Sequence, residues 1–186
     1  MMKNIAIILF LLLVSCKSEP KKGMESDNTI DKTVVEMWTN YTKVNSGLKK
    51  ETLPDSWYFH NNEQDANRLG KLVLEGKKQA SSGLYVWYEE ANAALPKVGV
   101  KHIITDFDGK ALAIIEITKV DTIPFNTISK TYAEKDMGTK KEALKKWKKA
   151  HWDFFASAMN ESDKKMTEEM LVVCEQFKTI WTKQSK

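Results

Sequence analysis

Cysteine, histidine and arginine are all scarce in this sequence. Of 186 residues, 2 are cysteine, 3 are histidine (His60, His102, His151) and Arg68 is the single arginine. Two cysteines exclude a disulfide scaffold and a four-cysteine zinc site. The histidines have neither HxxxH nor HExxH spacing, so no histidine-built metal site and no metal or other cofactor is expected. The Gly-x-Ser-x-Gly elbow and the Gly-x-Gly-x-x-Gly fingerprint are missing. A phosphate-cradling loop fails on spacing, because five residues separate Gly70 from Gly76 and Lys78 fills the Ser/Thr slot.

The residues that are present describe a globular chain. The apolar fraction is 42%, too high for disorder throughout, and the length suits one ordinary domain with a core. Twenty-nine basic residues against 25 acidic ones leave a net charge of +4. An excess so mild permits an anionic partner without establishing one.

The N-terminus reads as an address. Lys3 precedes an apolar run from Ile5 to Val14, about half of what a membrane-spanning helix needs. Charged start, short apolar stretch and small residue make a signal-peptide pattern. Leu13-Val14-Ser15-Cys16 resembles the lipobox of bacterial lipoproteins, which implies cleavage before Cys16 and lipidation of its thiol. Residues 1–15 are then a signal peptide, and residues 16–32, polar apart from Met24 and Ile30, a flexible tether. The folded domain is expected over 33–183, in the cell envelope outside the cytoplasm and held to a membrane through Cys16. Cys174, inside an apolar run, reads as a free structural cysteine.

Periodicity organises the rest into an α+β domain. Val34, Trp38, Tyr41 and Val44 repeat as one helical stripe. Asn61-Asn62 can cap a second helix carrying Ala66, Leu69, Leu72 and Val73, closed by Gly76. Residues 77–83 read as a basic loop and Leu84 to Tyr88 as β-favouring. Val100–Phe107 and Lys110–Val120 flank Asp108-Gly109, a strong hairpin signal. Asn126 can cap a brief helix, and Thr139 with Glu142 has capping-box spacing before a lysine-rich helix bearing Leu144, Trp147, His151, Phe154 and Ala158. Leu171 to Trp181 is a final strand. Four or five mainly antiparallel strands with three helices are expected.

Few residues stand out chemically, and each has two readings. Lys78 and Ser81, three apart, are either part of a solvated basic loop or a lysine base beside a hydroxyl. Glu116, within an apolar strand, needs a partner if it faces inward; that partner is structural, or the carboxylate lines a polar pocket. Glu175 poses the same question on the last strand. His151 is a core histidine or a site residue, and Trp57, Tyr58 and Phe59 are core aromatics or stacking platforms for a base. The lysine run at 140–149 is a solvated helix face or a phosphate contact surface.

Several blocks together resemble the ASCH domain. They are Ser56-Trp57-Tyr58-Phe59, Asp65-Ala66-Asn67, Leu72 to Lys78, Leu95 to Gly99, Pro124-Phe125, Trp147 with His151, Phe154 and Phe155, and Val172 to Phe177. The likeness runs from about Trp38 to Trp181. It implies a PUA-like fold, a small, mainly antiparallel and partly closed β-barrel with surrounding helices, and a cleft binding RNA, a nucleotide or a nucleoside. In short-form relatives a lysine, a threonine and a glutamate hydrolyse N4-acetylcytidine, and other members are ribonucleases. Those roles map onto Lys78, Ser81 and Glu116 as catalytic residues, with Trp57, Phe59, Lys77, Trp147 and His151 as ligand contacts. The chain departs from the family in using Ser81 for threonine and lacking two arginines, with Lys148 and Gln176 in their places. Lys135-Asp136-Met137-Gly138 stands where an acidic, glycine-rich stretch is common.

Overall fold

The computed structural model describes residues 30–48, 51–160 and 164–183. The expected signal peptide, Cys16 and nearly all of the tether lie outside the described residues. In chain order the elements are α1 (Lys32–Val44), β1 (Ser56–Trp57), α2 (Glu63–Leu74), β2 (Ala80–Leu84), α3 (Tyr85–Glu90), β3 (Lys101–Thr105), β4 (Ala111–Pro124), α4 (Lys130–Met137), α5 (Ala143–Asn160) and β5 (Leu171–Thr182).

Local chemistry explains most boundaries. Asp31 caps α1 by accepting the Thr33 amide at 2.8 Å, and Val34, Met37, Trp38 and Tyr41 form the buried stripe. Val44, at the end of that stripe, is exposed. Asn62 accepts the Asp65 amide at 2.9 Å to start α2, and Gly76, at φ 65°, ends its last turn. Asp108-Gly109 makes the turn between β3 and β4, with Gly109 at φ 81°.

The sheet has five strands in the order β1-β3-β4-β5-β2. Every neighbouring pair is antiparallel except β1 with β3. The long hairpin-like ladder of β4 and β5 is its spine, running from Ala113 opposite Thr182 to Pro124 opposite Leu171. Irregularities at Ile114/Ile115 and Ile117/Lys119 bend it, as bulges do. The expected barrel is not closed: β1 and β2 are separate edges. Residues of both edges nevertheless line one cavity, so the sheet curls until its edges face each other without pairing. One core cluster lies under α4 and α5, a second under α1, and a third on the sheet face around Ile104, Ile115 and Phe177.

Four local expectations are corrected. The basic loop is partly strand, since Ala80–Leu84 pairs with Val172–Gln176 of β5. Leu84 to Tyr88 turns into α3, where Tyr85, Val86, Trp87 and Tyr88 are all partly covered by neighbours. Tertiary cover outweighs the β preference of those side chains there. Ser129, not Asn126, caps α4, accepting the Tyr132 amide at 3.1 Å. The Thr139–Glu142 box does not form, because Glu142 adopts φ 52° and Thr139 accepts the Lys141 amide instead. The described helices number five rather than three.

Candidate functional site

The cleft is assembled where the chain leaves α2. The amides of Lys77 and Lys78 both donate to the Leu72 carbonyl, at 2.8 and 3.0 Å. The Gln79 amide then donates to Lys135 of α4 at 2.8 Å, and the Gln79 carbonyl accepts from Phe177 of β5 at 2.9 Å. This segment is therefore clamped between three elements. Gly138 permits the close approach of α4: it sits at φ 63°, and a Cβ there would meet Leu72 Cδ1 at 3.3 Å and Lys77 at 3.4 Å. The result brings Asp136 against Lys78.

Asp136 is the hub of the site. It is 2% exposed and Lys78 is 4% exposed. Lys78 Nζ donates to the Asp136 carboxylate and, at 2.9 Å, to its carbonyl oxygen. The other carboxylate oxygen accepts from Ser82 Oγ at 2.7 Å and Trp147 Nε1 at 2.8 Å, and lies 3.3 Å from His151 Nε2. Burial by itself would raise the Asp136 carboxyl, but the charges of Lys78 and His151 outweigh it and hold the group well below the usual carboxylate range. The Tyr132 hydroxyl donates to the Ser81 carbonyl at 2.6 Å, and burial together with Asp136 pushes its phenol far up.

His151 Nδ1 is 3.0 Å from the Trp147 carbonyl, while Nε2 faces the Asp136 carboxylate. Both neighbours are hydrogen-bond acceptors, so the ring bridges the Trp147 backbone and the Asp136 carboxylate. Lys78 Nζ also lies 4.8 Å from the centre of the Phe59 ring, a cation–π contact.

Above this floor opens a cavity of about 510 Å³. Phe59, His60, His151 and Phe154 supply aromatic surface, and Ser81, Ser82, Lys78 and Asp136 supply polar groups. His60 and Phe154 have ring centres 4.9 Å apart, and His151 stacks on Trp147 at 4.2 Å. Arg68 at the rim is bound to Asp65 at 2.8 Å. Among the described residues the Ser81 hydroxyl has no hydrogen-bond partner. No group of three or more His, Cys, Asp or Glu side chains suited to a metal occurs among the described residues. Cys174 is free and buried beneath β2, its thiol pushed up to about 12 by burial.

The structure brings some sequence-selected residues together and separates others. Lys78, Ser81, Phe59 and His151 line the cavity. Trp57 lines a second cavity, which Ser81 also borders. Trp147 is wholly buried and supports the site from below, donating to Asp136 and stacking on His151. Lys77 points to solvent and pairs with Glu75 at 2.7 Å. Glu116 is not in the cleft: strand alternation puts it on the face of β4 that carries Ile114 towards α1, opposite Ala113, Ile115 and Ile117. There it meets Lys178 at 2.9 Å and Lys101 at 3.9 Å across the two flanking strands. Asp136 is the carboxylate that the sequence reading passed over. Its signal was the Lys135–Gly138 stretch, at a position where acidic residues recur in the resembling family.

The site is thus a buried lysine–aspartate floor with aromatic walls beside a bent, open five-stranded sheet. The family model of the ASCH domain matches residues 55–181, and the chain belongs to the ASCH domain family, which is associated with RNA binding. It is similar to the crystal structure of an ASCH domain from Lactobacillus crispatus, with 30% identity and a TM-score of 0.74, covering 82% of this chain and 97% of that one. A DUF984-family protein from Enterococcus faecalis is 31% identical with a TM-score of 0.72, covering 80% of this chain and 88% of that one. No curated protein matches the chain significantly.

Proposed function

We propose that the cleft binds RNA or a nucleotide, with a base between the aromatic walls and a phosphate near Lys78 and His151. The observation that carries this reading is the buried Asp136 carboxylate, held by Lys78 and facing His151, under a half-aromatic cavity of about 510 Å³. That volume falls within the usual range of about 300–1,000 Å³ for small-molecule sites. Aromatic faces accept any base by stacking, and donors in a low-dielectric floor, the Lys78 amine among them, suit a phosphate. Tethering at the cell envelope through a lipidated Cys16 belongs to the same proposal and rests on the Leu13–Cys16 motif.

Hydrolysis is the second reading, favoured by the unpartnered Ser81 hydroxyl in the same cavity as Lys78. Acyl transfer needs a base for that hydroxyl or for a water. Asp136, held far below the usual range, is a weak base, and its carboxylate fixes the neighbouring ammonium as a donor. In this arrangement Lys78 serves better to polarise a carbonyl or hold a phosphate than to remove a proton, which places binding ahead of turnover.

The test incubates the full chain, purified in detergent, with acetylated cytidine and with labelled RNA, alongside Lys78→Ala, Asp136→Asn and Glu116→Gln. Salt-sensitive RNA binding that is lost in Lys78→Ala and kept in Glu116→Gln is the expected result. Turnover of acetylated cytidine that requires Lys78 would promote the second reading. Binding unchanged in Lys78→Ala would remove the cleft from the account. Cys16→Ser should release the protein from membranes, and continued retention would contradict the anchor.

A further inference from the structure

The two edges of the curled sheet enclose a second cavity, of about 550 Å³, that the reading above leaves unused. Trp57 of β1, Ser81 to Gly83 of β2, Tyr88 of α3, His102 of β3, Glu175 of β5 and the Leu95–Lys97 loop line it. Ser81 and Ser82 border both cavities, so the two sites meet at β2.

The geometry points to this second cavity as a subsite for an uncharged heteroaromatic ring, the base of the nucleotide adjoining the one held over Lys78, so that the ligand is a dinucleotide step rather than a single nucleotide. This inference rests on the nucleotide reading of the first cavity and extends it. Three features select a base over a phosphate. First, two aromatic rings stand together in its lining, Trp57 and His102, with centres 6.1 Å apart. Second, the carboxyl of Glu175 stands 3.5 Å from the Tyr88 hydroxyl, opposite Ser81 in the β2–β5 register. A carboxyl and a phenol offer both donor and acceptor positions, as the edge of a base requires. Third, a phosphate finds no surplus cation here, since the lining holds one lysine, Lys97, beside the carboxyl groups of Asp55 and Glu175. Trp57, with Leu95, Pro96 and Val100, provides apolar surface for the ring faces.

The protonation state of the lining agrees with an uncharged ligand. Burial lifts the Glu175 carboxyl to about 7, with Asp136 adding to the rise and the Tyr88 hydrogen bond opposing it. Burial lowers His102, against the pull of Asp55. Near neutral pH Glu175 is therefore divided between its neutral and ionised forms.

The experiment compares a cytidine monophosphate with the dinucleotide cytidylyl-cytidine by calorimetry on the full chain in detergent. Wild type should bind the dinucleotide about tenfold or more tightly than the monophosphate, the gain of one additional stacked base. Glu175→Gln and, as a gentler change, Tyr88→Phe should each reduce that gain while monophosphate affinity holds. Equal affinities in wild type, or a dinucleotide gain that survives both variants, would overturn the second subsite while leaving the first intact. Failure of both ligands to bind would instead overturn the nucleotide reading, and this inference with it.

Discussion

Replacing Asp136 by Asn leaves the size of the side chain almost unchanged and removes its charge. The structure makes this a severe test. Asp136 and Lys78 are both nearly inaccessible, and the carboxylate also accepts from Ser82 and Trp147. Removing one partner of a buried ion pair strands the other charge, at a cost of about 3–5 kcal/mol. Asparagine must also present an NH₂ group to Lys78, or to Ser82 and Trp147, all of which are donors. The loss should therefore lie at the upper end of that range, a fall in melting temperature on the order of 10 °C for a domain of this size. Lys78→Met should also destabilise, but by less, because His151 Nε2 still faces the carboxylate at 3.3 Å. In the double variant no stranded ammonium remains, so the two losses should fall short of their sum by about 2 kcal/mol or more. Urea denaturation of the four proteins measures the cycle. Additive losses, or an Asp136→Asn variant within about 1 kcal/mol of wild type, would refute the claim that the pair is closed and dry.

Other consequences are separately measurable. Glu175, raised to about 7 from an ordinary 4.5, keeps its proton in the folded state over a pH range where the unfolded chain has lost it. Stability should therefore fall as pH rises from about 4.5 to 7, by up to about 3 kcal/mol, and Glu175→Gln should abolish that slope in denaturation at several pH values. His102, which burial lowers, acts in the opposite sense over the upper part of that range, so the Glu175 contribution is read as the difference between wild type and Glu175→Gln. Trp147→Phe keeps the ring but removes the donor to Asp136, so a loss of about 1.5–3 kcal/mol is expected by chemical denaturation. Glu116→Gln should cost under about 1 kcal/mol and leave ligand binding unaltered, because its lysine partners are partly solvated.

Much of the architecture was legible because it depends on local signals. The stripe of Val34, Trp38 and Tyr41, the Asn62 cap, the Gly76 stop and the Asp108-Gly109 turn all act within a few residues, and each appears where it was expected. The segment from Ala80 to Tyr88 was misread for the opposite reason. Its first half becomes a strand by pairing with β5 about ninety residues away, and its second half becomes helix beneath α5 and β5. Neither influence is local, so no window along the chain contains it. Glu116 illustrates a third case. Its place in an apolar run and its strand face with Ile114 were plain, but which face of the sheet borders the cleft depends on how the helices pack on each side.

The sequence by itself determined the α+β class, the family blocks, the selection of Lys78 and Ser81, and the lipobox-like Leu13–Cys16 stretch, since these are properties of residue type and spacing. Only the tertiary structure decided which carboxylate serves the lysine. Lys78 and Asp136 are separated by 58 positions and meet because Gly138 lets α4 close against the end of α2. It also decided that the sheet stays open, with its two edges bordering a cavity instead of a seam. Spacing can nominate a residue, but a buried charge is matched by whatever the fold brings within hydrogen-bond distance, and that is set by packing across the whole domain.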